Sequence, residues 1–107
     1  MHSYTRAESR ERARLFRKGF RQALADCVDP ALQKKIERID QAAAERGRRE
    51  LNALYAVREN DRQAVATAKA QVRTASRQDK AAARDALRQA EQQLGRSERA
   101  VHKAEQQ

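Results

Sequence analysis

The sequence predicts an all-α protein. Two N-terminal helices are joined at Asp29-Pro30, and a long, Ala-rich, coiled-coil-like helix follows, with a helical hairpin broken near residues 76–80 as the alternative for that last stretch. Three observations carry this reading. Ala, Glu, Lys, Leu and Arg supply 62 of the 107 residues, the composition of long helices. One Pro and three Gly leave few places for the chain to turn. The runs of β-branched and aromatic residues that build strands are missing.

The first helix is expected to start at Thr5. Thr5 and Glu8 have capping-box spacing, in which each side chain satisfies an orphan amide at the helix start. Ala13, Phe16, Phe20, Leu24 and Cys27 then recur at intervals of three and four and define one apolar face, with Cys27 a small buried hydrophobe. Gly19 costs this helix up to about 1 kcal/mol relative to Ala and suggests a close helix crossing. Asp29-Pro30 then stops one helix and starts the next, as an N-cap followed by Pro at the first helical position.

The second helix has Leu32, Ile36, Ile39 and Ala43 as its seam. The seam resumes after Gly47 with Leu51, Leu54 and Val57. Gly47 reads equally as a C-cap or as a residue inside one long helix. Asn60-Asp61 is the next expected boundary. Residues 1–60 are thus expected to form a small helical unit and residues 61–107 a basic helical arm or hairpin, within one domain overall.

Beyond Asn60-Asp61 the seam runs Val65, Ala68, Val72 and Ala75, then Ala83, Leu87, Ala90, Leu94 and Val101. Ser76 and Asp79 have the spacing to cap a new helix, but a run without Gly or Pro slightly favours a straight one. Leu87, Leu94 and Val101 are seven residues apart, as are Val65 and Val72, with the two runs out of register by one residue.

The apolar supply is thin. Leu, Ile, Val and Phe number 16, against 22 Ala and a net charge of +9. Each buried methylene contributes only about 0.8 kcal/mol, so an Ala-lined seam stabilises little. A homo-oligomer or a protein partner is therefore expected to complete the burial. The charge is uneven: residues 1–28 carry seven basic and three acidic groups, residues 29–60 seven and six, and residues 61–107 ten and six.

Arg10, Arg14, Arg17 and Arg21 follow steps of four, three and four, which places them in one stripe about a quarter turn from the Phe16–Phe20 face. Lys69, Arg73, Arg77, Lys80, Arg84 and Arg88 form a second stripe, displaced from the Val72–Leu87 seam in the same sense. Long basic side chains commonly cover a seam with their methylene stems. Arg10–Arg14 and Arg73–Arg77, however, are like-charged pairs that cost a few tenths of a kcal/mol each, roughly, and give a structural helix nothing. A phosphate backbone is the partner that such stripes suit.

The segment from Gln41 to Leu51 resembles a helix-turn-helix only at Gly47. Arg46 and Arg48 stand where a packed turn needs aliphatic side chains, so backbone binding is expected over base readout. Tyr4 and Tyr55 read as amphipathic cover. His2, His102 and Cys27 share no nucleophile or metal-ligand spacing, and no phosphate-cradling glycine loop exists.

The expectation is a non-catalytic protein that binds DNA or RNA, with no metal, cofactor or small-molecule substrate. A helical protein-interaction module docking on an acidic partner is the second reading. With no apolar leader or membrane-length run, and one cysteine, a cytoplasmic place is expected and membrane binding is not.

Overall fold

The computed structural model describes residues 1–25 and 29–107. Helix α1 spans Arg6–Leu24, α2 spans Pro30–Thr74 and α3 spans Lys80–Glu105. The chain divides into two compact units, Met1–Arg49 and Glu50–Gln107, with α2 contributing to both. The fold is all-helical, as expected. Cys27 lies outside the described residues.

In the first unit, α1 begins with the capping box read from the sequence. Thr5 Oγ1 accepts the Glu8 amide at 3.1 Å, and Glu8 Oε1 accepts the Thr5 amide at 2.9 Å. Asp29 starts α2 as its N-cap, with its carboxylate accepting the Ala31 amide at 2.9 Å.

The face by which α1 docks differs from the expected one. Leu15 is 1% exposed, whereas Phe16, Phe20 and Leu24 are 49%, 66% and 74% exposed. Leu15 packs with Leu32 and Ile36, and Ile39 borders them. The inward stripe of α1 is Glu8, Arg12, Leu15, Gly19 and Gln22, each buried or half-buried. Two ion pairs to α2 account for that orientation: Arg12 with Asp40 at 2.6 Å and Glu8 with Arg46 at 2.6 Å. A rotation of α1 by about 100°, which would bury Phe16 and Phe20, would break both pairs and turn Leu15 out of the core. The Arg12 guanidinium also lies 4.6 Å from the centre of the Phe16 ring, which shields one face of it.

These ion pairs make the first unit sensitive to acid. The Arg46 guanidinium, followed by the Thr5 amide, pulls the Glu8 carboxyl down from 4.5 to about 2. Arg12 and then the Tyr4 hydroxyl lower Asp40 in the same direction. A carboxylate with a lowered folded value stabilises the fold above its unfolded value, and that contribution fades as pH falls through the folded one. The melting temperature is therefore expected to decline between pH 4.5 and about 2, and Glu8→Gln to flatten that decline; circular dichroism melts across the range check it.

The residues before α1 lie along α2. The Ser3 amide donates to the Ala43 carbonyl at 3.0 Å, and the Arg46 guanidinium donates to the Ser3 carbonyl. Met1 crosses α2 at Gly47, where an added Cβ would collide with the Met1 carbonyl oxygen and come within 2.8 Å of its carbon. Gly47 is thus neither a helix end nor a tolerated accident: it makes room for a backbone crossing. Alanine is the better helix former by about 1 kcal/mol. Gly47→Ala is nonetheless expected not to raise the melting temperature, and to speed amide exchange at Ser3, because Met1–Ser3 must lift away.

The second unit is a helical hairpin. Its first strand, α2, turns Leu51, Leu54, Arg58, Asp61, Val65, Ala68 and Val72 inward, and Ala75 just past its end continues the set, each buried or half-buried. Its α3 strand does the same with Ala83, Leu87, Ala90, Leu94, Ser97, Val101 and Ala104. Within each strand, alternate members of these sets lie seven residues apart. The one-residue offset between the Val65 and Leu87 runs has a simple origin, since they sit on two helices joined by a turn. Asn60-Asp61 is not a boundary, because α2 runs through it and Asp61 faces the seam. Val57, 46% exposed, is not part of the seam; Tyr55 and Arg58 face inward in its neighbourhood.

The favoured straight helix gives way to the hairpin at residues 75–79. The Thr74 hydroxyl bonds back to the Ala70 carbonyl at 3.1 Å. Ser76 Oγ donates to the Asp79 carboxylate at 2.9 Å, and the Asp79 amide to the Ser76 carbonyl at 3.1 Å. Side-chain competition for local backbone and acid groups substitutes here for Gly or Pro. At the open end, Tyr55 donates to Glu105 at 2.8 Å. Arg58 Nε and Asp61 Oδ2 are buried without a hydrogen-bond partner among the described residues.

Candidate nucleic-acid interface

The ten cations singled out in the sequence are all exposed, and they fall into two groups. Arg10, Arg14, Arg17 and Arg21 lie on α1 in the first unit. Lys69, Arg73, Arg77, Lys80, Arg84 and Arg88 lie in the second unit, around the closed end of the hairpin. Each group belongs to its own unit.

The hairpin turn converts a line of charge into a cluster. Residues 69–88 carry six basic and two acidic side chains, whereas the rest of the second unit carries five basic and six acidic. Lys69 and Arg73 of α2 share a shallow cavity of about 360 Å³ with Val72 and with Leu87 of α3. Its lining thus joins two half-buried apolar side chains to two exposed cations. Arg77 occupies the turn, and Lys80 and Arg84 lie on the first two turns of α3.

Those first turns have an unusual charge arrangement. The partial positive charge at a helix N-terminus favours acidic neighbours. The first turn of α3 holds none, and the Asp79 carboxylate caps no amide because it is engaged with Ser76. Arg77 and Lys80 therefore sit where the helix dipole opposes them, with Arg84 one turn further on. Of the six, Arg88 alone has an ion-pair partner among the described residues, Asp85 one turn back. On α1, Arg14 is paired with Glu11, while Arg10, Arg17 and Arg21 have none among the described residues. Both bridges are well exposed and stabilise little.

What sequence reasoning missed lies mainly in the seams. Leu15 is the centre of the first unit's core, and Arg58 and Asp61 form a polar layer in the hairpin. Leu32, Ile36, Val65 and Val101 are buried, and Ile39, Leu51, Leu54, Val72, Leu87 and Leu94 are half-buried. Gln41–Leu51 is continuous helix, so no helix-turn-helix forms. Among the described residues no group of three His, Cys, Asp or Glu converges as a metal site, and no helix is long and apolar enough to cross a membrane. The chain matches no protein-family model, no curated protein and no solved structure.

Proposed function

We propose that this is a non-catalytic accessory protein that binds nucleic acid mainly through the phosphate backbone, with the closed end of the hairpin as the principal contact. The observation that carries the reading is the cluster of six exposed cations around one turn, held at a cost to the helix they surround. Phosphates would relieve both the mutual repulsion of those cations and their conflict with the α3 dipole. The seven-residue spacing on both strands supports reading the hairpin as an antiparallel two-stranded coiled coil, a stiff mount for a charged tip. Continuous helix through Gln41–Leu51 favours backbone binding over base readout. The α1 stripe adds a second cationic face. A nucleic-acid ligand suits the cytoplasm, as does the lone cysteine.

The test is binding to labelled duplex DNA and duplex RNA across a salt series. Binding should fall linearly on logarithmic axes, with a slope of roughly −5 for DNA if each cation of the tip meets a phosphate. No binding at low salt would overturn the proposal. The second reading, a helical protein-interaction module, draws support from a different face, the exposed Phe16–Phe20 side of α1.

A further inference from the structure

We propose that the groove between α1 and the first turns of α2 is a docking site for an acidic amphipathic helix of a partner protein. The proposal goes beyond phosphate binding: it uses none of the hairpin cations, and shares only Arg17 and Arg21 with the secondary cationic face of α1. The groove has a volume of about 350 Å³ and is walled by Leu15, Phe16, Phe20, Leu32 and Ile36. Phe16 and Phe20 form its outer wall and remain largely in water. Exposed apolar surface of this kind, contiguous and beside a groove, is the mark of a binding face.

Gly19 is the second observation. It lines the groove from the middle of α1, and a Cβ added there would meet nothing within 4 Å. The expected close helix crossing at this position is therefore absent. A mid-helix glycine is unfavourable by about 1 kcal/mol relative to Ala. The protein's own packing does not require it. What Gly19 does is keep the floor of the groove open for a side chain from outside.

Charge selects the occupant. Arg17 and Arg21 flank the two rings and share a cleft with them. The two acidic residues of α1, Glu8 and Glu11, are already bound to Arg46 and Arg14. Asp29, at one end of the groove, has its carboxylate on the Ala31 amide. A second copy of this chain would bring its own Arg17 and Arg21 against these. A nucleobase would find apolar walls and few groups for its polar edges. A helix with apolar residues at i, i+3 and i+4 and carboxylates along their border satisfies the groove and the arginines together.

The probe is a fluorescein-labelled synthetic peptide of about five helical turns, with Leu along one face and Glu along its borders. Control peptides carry Lys for Glu, or Ser for Leu. The full chain is expected to bind the acidic peptide and neither control. Phe20→Ala should weaken binding by about tenfold or more, as at interface hot spots. Gly19→Leu should abolish binding while raising the melting temperature, because it fills the groove with a better helix former. Duplex DNA binding by both variants should be unchanged, so failure of this proposal and failure of the phosphate reading are separable.

Equal binding of the Lys-bordered peptide, or full binding by Gly19→Leu, would overturn the proposal. So would a wild-type dimer that Phe20→Ala dissociates, which would assign the face to a second copy. Loss of single-stranded oligonucleotide binding in the Phe16→Ala, Phe20→Ala pair, without peptide binding by the wild type, would assign it to base stacking.

Discussion

Leu15→Ala is expected to destabilise the protein by about 2–5 kcal/mol, the range for a leucine removed from a filled core. Phe20→Ala, which deletes a larger side chain, is expected to change stability by no more than about 0.5 kcal/mol. The inversion follows from exposure. Leu15 is 1% exposed and meets Leu32 and Ile36, whereas Phe20 is 66% exposed. Phe16→Ala should fall between them, since it forfeits the Arg12 cation–π interaction, worth roughly 0.5–1 kcal/mol at an open site. With three buried aliphatics forming the cluster, the first unit has little else to compensate. Denaturant melts followed by helical ellipticity measure all three variants. A Phe20→Ala loss exceeding that of Leu15→Ala would mean that α1 docks by its phenylalanine face.

That inversion also marks where the sequence could be read and where it could not. The caps were legible because they are local: Thr5 with Glu8, and Asp29 before Pro30, satisfy amides within four residues of themselves. The rotation of α1 was not, because it depends on Asp40 and Arg46, partners 28 and 38 residues away. Hydrophobic periodicity ranks Phe16 and Phe20 above a lone Leu15, and it has no means of weighing two ion pairs on the Leu15 side. Asn60-Asp61 was misread for a related reason. A polar pair suggests a boundary, but Asp61 falls one heptad before Ala68 and faces the seam with Arg58. The break at Ser76 was visible as an alternative only, since its hydrogen bonds replace the Gly or Pro that normally announces a turn.

The candidate interface shows the same division. Each of its cations was legible as a member of a helical stripe. Their clustering was not, because a stripe along one straight helix would extend over some five turns, whereas the hairpin folds Lys69 and Arg73 back beside α3. The turn at 75–79 is what makes a charged edge into a charged end. Gly19 was legible as a costly residue, but its open surroundings were not.

The triple replacement Arg77→Glu, Lys80→Glu and Arg84→Glu is expected to lower nucleic-acid affinity at moderate salt by about 100-fold or more, and to flatten the salt dependence by roughly 0.9 for each phosphate that is no longer neutralised. Locally it replaces three of the six cations and reverses the sign of the cluster. Stability should move the other way. Glu at the first turn of α3 agrees with the helix dipole where Lys80 opposes it, a gain of about 0.3–1 kcal/mol at low ionic strength. The variant is therefore expected to melt at a higher temperature while binding less. That pairing separates a functional cluster from a structural one: cations that merely solvated the hairpin would leave affinity unchanged when reversed, and cations that held it together would lower its melting temperature. The reversal of Arg10 and Arg17 on α1 provides the comparison. If the hairpin end is the principal contact, that second reversal reduces affinity less than the first and leaves most of the salt dependence in place, and a larger effect from the α1 pair would move the interface to the first unit.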